Sequence, residues 1–172
     1  KPSRRKIFAL VAEGALGELR HIELHTLRSQ PAADASLRSW RADAGIAGGG
    51  ILVDHGWHNL YLIHRLLPTD PKRTMARLGS QQPGELEDEA TVFMEYPKAT
   101  ALLHLSWRSW LRSNNGLFLG TKGMLQLNDD SLTLQRAGKT IERFAFPQAL
   151  SEGSAHPDWT EELLGDFAAA VT

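Results

Sequence analysis

The stretch Gly48-Gly49-Gly50-Ile51-Leu52-Val53-Asp54-His55-Gly56-Trp57-His58-Asn59-Leu60-Tyr61-Leu62-Ile63-His64-Arg65-Leu66-Leu67-Pro68 decides how this chain is read. It predicts one helix of about five turns, entered through the glycines. Pro68 ends it, because its ring excludes helical backbone and it offers no N–H. At about 100° per residue, Leu52, Leu60, Ile63, Leu66 and Leu67 share an apolar face. Asp54, His58, Tyr61 and Arg65 fall on the opposite side, and His55 and His64 point away from that stripe. One reading of the stripe is a solvated face, with a helical ion pair worth a few tenths of a kcal/mol. The other is a proton-handling pair, in which the Asp54 carboxylate orients the His58 ring and raises its pKa. Spacing alone leaves both open.

Composition narrows the classes. The 172 residues are 42% hydrophobic and 23% charged with a net charge of −1, which suits a single globular domain. That balance gives no electrostatic case for nucleic acid or an anionic membrane as partner. No apolar run reaches the roughly 18 residues of a membrane span, and the first residues do not read as a signal-peptide pattern. Zero cysteines exclude disulfides and thiolate metal sites, and a cytoplasmic location is expected. The start at Lys1-Pro2 and the helical pattern running to Thr172 predict a piece of a longer protein.

Along the chain, Pro2 to Glu13 reads as a basic amphipathic helix with Gly14 as its stop. Leu19 to Leu27 alternates as a strand, with Ile22, Leu24 and Thr26 on one side and His21, Glu23 and His25 on the other. Ser29 to Ala47 reads as a long loop packed down by Leu37 and Trp40. After Pro68 come strands at 74–78, 89–96, 100–107, 116–119, 124–127, 132–136 and 140–144. Pro97-Lys98, Gly120 to Gly123, Asn128 to Asp130 and Ala137-Gly138 supply turns between them. A last helix from Pro157 would bury Trp159, Leu163, Leu164 and Phe167. This order predicts an α+β fold, a mostly antiparallel open sheet with helices packed on one face. Strands 89–96 and 100–107 carry apolar groups on both faces, so the second face needs cover too.

No dinucleotide fingerprint is present, since Gly48-Gly49-Gly50 follows a polar loop and lacks the G-x-G-x-x-G spacing. A metal-dependent enzyme using Asp54 and His58 stays as an alternative, but no H-E-x-x-H occurs and no metal ligand set is assigned. Trp107, Arg108, Trp110, Arg112 and Asn114 form a second cluster at a strand end. It is either a capped sheet edge or a sugar-sized pocket of indole and guanidinium, which His156 could join.

The string Gly48-Gly49-Gly50-Ile51-Leu52-Val53-Asp54-His55-Gly56-Trp57-His58 resembles the glycine-rich aspartate–histidine signature of the Gfo/Idh/MocA (glucose–fructose oxidoreductase, inositol dehydrogenase, rhizopine catabolism) family. Glu13 to Leu19, Leu105-Ser106-Trp107 and Gly120 to Gly123 are similar to further family segments in the same order. The resemblance implies the substrate-binding and oligomerisation domain of an NAD(P)-dependent oxidoreductase acting on a sugar, polyol or related hydroxy compound. It implies that His58 is the general acid/base and that Asp54 orients it or binds substrate. Tyr61, Trp107, Arg112, Asn114 and His156 are the other candidate substrate contacts. By the same resemblance NAD or NADP belongs mainly to an N-terminal Rossmann domain upstream of Lys1, with no cofactor-binding residue here. A homodimer or tetramer through the sheet face is implied as well. Tyr61 departs from the acidic residue common three positions after the histidine. A non-catalytic binding or assembly module of the same fold is the remaining alternative.

Overall fold

The structure is a computed structural model that describes residues 1–30, 43–81, 84–136, 141–147, 164, 167–168 and 171. Leu37, Trp40, the Ala137-Gly138 turn, His156, Trp159 and Leu163 lie outside the described residues. Helix α1 (Pro2–Ala12) opens on Pro2, whose fixed φ suits a first turn, and the chain turns out of it through Gly14 at φ 72°. Strand β1 (Leu19–Leu27) follows, then a short helix α2 (Ala44–Ala47) capped by the Asp43 carboxylate, which accepts from Gly45 N–H at 2.9 Å. After helix α3 (Trp57–Leu66) come β2 (Arg73–Gly79), β3 (Glu89–Glu95), β4 (Thr100–Ser106), β5 (Ser113–Gly120), β6 (Gly123–Asn128), β7 (Ser131–Arg136) and β8 (Ile141–Ala145).

All eight strands form one sheet in the order β2-β3-β4-β1-β5-β6-β7-β8. The short links after Pro68 give antiparallel neighbours, as their length requires. The exception is the β4–β5 step, where β1 lies between the two, parallel to β4 and antiparallel to β5. The long path from β1 to β4, by way of α3, is what makes a parallel pair reachable. One face of the sheet carries Ile22, Leu24, Leu103, Leu105, Phe118, Leu125, Leu132 and Leu134, all buried. Ile7 and Leu10 of α1 and Leu62 and Ile63 of α3 complete the same core. The α+β expectation of an antiparallel sheet with helices on one face holds.

Three local expectations need correction. The first helical stretch is not regular: Leu52–Gly56 is a π turn that runs directly into α3. Its cause lies in two close approaches. A Cβ on Gly50 would collide with the backbone carbonyl of Glu87, and Ile51 N–H donates to that carbonyl at 2.9 Å. Leu52 N–H donates to the Glu87 carboxylate at 3.2 Å. At the other end a Cβ on buried Gly56 would stand 2.7 Å from Leu52 Cδ1 and 3.4 Å from Leu105 Cδ1. Held at Glu87 and pressed on β4, the turn takes up an extra residue, which shifts the phase of everything before it. Second, within the regular turns of α3 the buried face is Asn59, Leu62, Ile63 and Leu66, so Leu60 is 37% exposed and Leu62, at 1%, takes its place in the core. Third, Leu164 and Phe167 are helical but exposed, at 60% and 66%, and are not a buried face.

The opposite face of the sheet has no helix on it among the described residues. Across its middle the register aligns Met75, Phe93, Leu102, Glu23, Leu117 and Gln126 in one row. No helix among the described residues is long and apolar enough to cross a membrane.

Candidate functional site at the end of the sheet

The π turn and the start of α3 deliver Asp54, His55, His58 and Asn59 to one end of the sheet. That end is built from the exit of β1, the exit of β4, the entry of β5 and the β6–β7 turn. Arg28 N–H donates to Ser106 O at 2.8 Å and Ser109 N–H donates to Arg28 O at 2.9 Å, which ties the exits of β1 and β4 together. Asp129 N–H donates to Asn114 O at 2.9 Å and draws the β6–β7 turn in. Buried Asn59 donates through Nδ2 to Thr26 Oγ1 at 3.1 Å, fastening α3 to β1.

The Asp54–His58 pair expected from spacing is rearranged. The π turn brings Asp54 Oδ2 to 3.3 Å from His55 Nε2, so the close ionic neighbour of Asp54 is His55. His55 thus belongs to the site rather than pointing away from it. The His58 ring stacks on Trp57 with centroids 3.6 Å apart. Its pKa moves opposite to the expectation. Loss of solvation, the positive charges of Arg4 and Lys1, and His55 push it down to about 4, and Asp54 opposes them without prevailing. At neutral pH His58 is an uncharged imidazole, able to accept a proton.

Its neighbours explain the direction. Arg4 Nη1 donates to the His58 carbonyl oxygen at 3.3 Å, and this guanidinium is itself partly stripped of water. Lys1 is exposed as a residue. Its ammonium is nevertheless desolvated and crowded by Arg4, Arg28 and Arg112, which together push it down to about 8. Arg28, 5% exposed, is lowered to about 10 by burial first and by Arg112 second.

Of the other residues singled out from sequence, Asn114 and Arg112 come to this end. Asn114 Oδ1 accepts from Arg28 Nη2 at 3.0 Å, and its Nδ2 donates to Asp129 Oδ1 at 3.3 Å. Tyr61 is half-exposed one turn further along α3, where its hydroxyl accepts from Arg65 at 3.3 Å. Trp107 is corrected: it is a core side chain, 6% exposed, with a buried Nε1 that has no hydrogen-bond partner. An indole so buried offers no face for a sugar. Trp110 is fully exposed, and Arg108 turns to Asp88, which it grips through Nη2 at 2.5 Å and Nε at 2.8 Å.

Sequence reasoning missed Lys1, Arg4, Arg28, Asn59 and Asp129. Arg28 had a signal, because it continues the alternation of Ile22, Leu24 and Thr26 toward the helix-covered face. Among the described residues no group of three His, Asp or Glu side chains is arranged to hold a metal ion.

Residues 5–126, well over half of the chain, match the family model described as the GFO/IDH/MocA C-terminal domain. The chain belongs to this family. Comparison with curated protein sequences gives no match. Among solved structures, an inositol dehydrogenase homologue from Azotobacter vinelandii, complexed with NAD+, is 26% identical with a TM-score of 0.72. That match covers 90% of this chain and 42% of that one. A levoglucosan dehydrogenase, in complex with NADH and levoglucosan, is 19% identical with a TM-score of 0.76, covering 95% and 52%, and speaks for the fold alone. An oxidoreductase domain protein from Kribbella flavida does the same at 21% identity, TM-score 0.70, covering 84% and 45%. The chain spans about half the length of these proteins or less.

The depressed His58 pKa has a consequence for stability. Above pH 6.5 the ring is neutral in folded and unfolded chains alike and contributes nothing. Between pH 6.5 and about 4 the unfolded chain takes a proton that the folded one refuses, so stability falls as pH falls. Below about 4 that loss is complete. Thermal melts should therefore decline more steeply from pH 6.5 to 4 in the wild type than in His58→Gln; parallel profiles would contradict the site's electrostatics.

Proposed function

We propose that this chain is the substrate-binding and assembly domain of an NAD(P)-dependent oxidoreductase that acts on a sugar, polyol or related hydroxy compound. The observation that carries the reading is His58, an imidazole kept neutral beside cations at the end of the sheet, in a chain of this family. Oxidation of a secondary alcohol needs a group that takes the hydroxyl proton as the carbinol carbon becomes a carbonyl. A neutral imidazole can take that proton; with its pKa held at about 4 it does so as a weak base, so the imidazolium forms only transiently before it passes the proton on.

Asp54, paired with His55, contributes the negative charge that steadies the proton once His58 has it. Asn59 and Asn114 offer amide groups, which can both donate to and accept from hydroxyls.

A nicotinamide cofactor would supply the acceptor for the hydride. Among the described residues no strand–glycine loop–helix unit exists to cradle a dinucleotide, so NAD or NADP falls to a Rossmann domain in the longer protein. This chain's part is to hold the substrate and manage its proton.

Assembly follows from the uncovered sheet face. Met75, Phe93, Leu102 and Leu117 align across it, and Met75 is 47% exposed. These apolar side chains, interrupted by Glu23 between Leu102 and Leu117, suit burial against a second copy, as a homodimer or tetramer. Leu102→Glu, which puts a charge in the middle of the row, should convert the assembly to monomers by light scattering. A wild-type chain that stays monomeric at high concentration would count against the interface.

Catalysis is tested in the full-length protein. His58→Ala should lower turnover of an accepted polyol by roughly 10²–10⁴, the usual size of a lost general acid/base. His64→Ala, exposed on the far part of α3, should leave turnover unchanged. His55→Ala is no control here, because the structure seats His55 on Asp54. Normal turnover by His58→Ala would remove the proposed role.

A further inference from the structure

We propose that assembly through the open sheet face is controlled by protons: His21, His25 and His104, gathered around Glu23, allow two copies to join near neutral pH and separate them in acid. The inference rests on the assembly reading above and adds its regulation.

The four side chains share the face that bears no helix among the described residues. On β1, Ile22, Leu24 and Thr26 are buried toward the core, so the alternation turns His21, Glu23 and His25 outward. β1 is the fourth strand of eight and Glu23 stands at its midpoint, which puts the carboxylate near the middle of the face. Its neighbours across the ladder are Leu102 of β4 and Leu117 of β5, both apolar. His25 Nε2 donates to Glu23 Oε1 at 2.6 Å, and His21 Nε2 stands 3.7 Å from Glu23 Oε2. His104 lies opposite His25 in the parallel pair, with ring centroids 5.8 Å apart and the rings edge to face. Thr100 Oγ1 is 2.7 Å from Nδ1 of His21, and Thr91 Oγ1 is 3.0 Å from Nδ1 of His104. A hydroxyl that donates to Nδ1 suits a neutral ring, and protonation of that nitrogen takes the acceptor away.

The other charged groups that face the cluster come from β2 and β3, and each acid among them has an arginine beside it. Glu95 of β3 lies opposite Thr100 on one side and Arg73 of β2 on the other. Glu89, opposite Ser106, has Arg108 at 3.7 Å. Arg77 of β2 lies beyond Thr91. On β1 itself, Arg20 engages Glu18 at 3.4 Å. β5 faces the cluster with Leu119, Leu117 and Asn115, none of which titrates. One carboxylate thus stands among three imidazoles.

Those four groups take up protons as a unit. With every imidazole neutral the cluster is singly negative; one proton makes it neutral, and three make it doubly positive. Out of water only the neutral state is cheap. Acid and base side by side also make the patch complementary to itself, since a two-fold contact sets the same patch against its copy. The first proton is therefore compatible with burial against a second copy, and the second and third are not. Acid supplies protons that only the separated copies accept, so it favours separation. Each proton excluded by assembly weakens it by up to about tenfold per pH unit.

The experiment follows the mass of the full-length protein by light scattering at about pH 7.5 and about pH 5.5, with circular dichroism to monitor folding. The wild type should be assembled at the higher pH, and its dissociation constant should rise at least about tenfold at the lower. The double variant His21→Gln/His104→Gln leaves His25 alone with Glu23, so the pair never passes neutrality and should stay assembled at both. Glu23→Gln leaves the first proton without its counter-charge and should dissociate at a higher pH than the wild type. If acid unfolds the wild type first, Glu23→Gln decides at about pH 6.5, where it should be apart while the wild type is not. A folded wild type equally assembled at both pH values would overturn the inference and leave the assembly reading standing. Acid dissociation kept by the double variant would assign the response to other groups and overturn it too. A wild type monomeric at every pH would overturn both.

Discussion

The closeness of Gly50 to the backbone of Glu87 is the constraint on which the site depends. With no Cβ at residue 50, the chain passes close enough for Ile51 N–H and Leu52 N–H to be taken by the carbonyl and carboxylate of Glu87. Those bonds satisfy donors that a helix start otherwise leaves open, and they fix the turn at the end of the sheet. Gly56 then lets the same turn lie down on Leu105 of β4. A π turn is the backbone's way of meeting both contacts, and its widened geometry sets Asp54 against His55 with His58 beyond them.

The second structural determinant is the seat of β1. Inserted between β4 and β5, it carries Thr26 and Arg28 into the centre of the sheet's end instead of leaving them at an edge. Thr26 holds Asn59 and so α3; Arg28 holds Ser113 and Asn114 and so β5. Arg28 joins structure to charge, since the bonds that secure the strands also hold a buried cation at this end of the sheet.

Much of this was legible in the residues. Alternation marked β1 over 19–27 as the structure has it, and the turn residues after Pro68 put each later strand within a few residues of its observed ends. Asp54 and His58 stood out because titratable groups on an apolar helix are rare. What spacing could not carry was the environment of His58. Burial holds it neutral first, and the cations that add to this, Arg4 and Lys1, come from the first helix and the residue before it, far away in sequence, so a reading confined to the helix saw Asp54 and expected the pKa to rise. The π turn was equally hidden, because its cause is a contact with Glu87 and not a local preference. Trp107 carried contradictory signals. Its phase continued Ala101, Leu103 and Leu105 into the core, and the amphipathic indole suggested a pocket; packing decided for the core.

Everything proposed for the chemistry turns on whether His58 is neutral where a substrate hydroxyl must lose its proton. Nitrogen-detected NMR titration of the imidazole of His58, assigned by comparison with His58→Gln, reads that state directly. The account predicts a midpoint at about pH 4, with the ring uncharged throughout the neutral range. A midpoint at or above 6.5, the ordinary value, would contradict it.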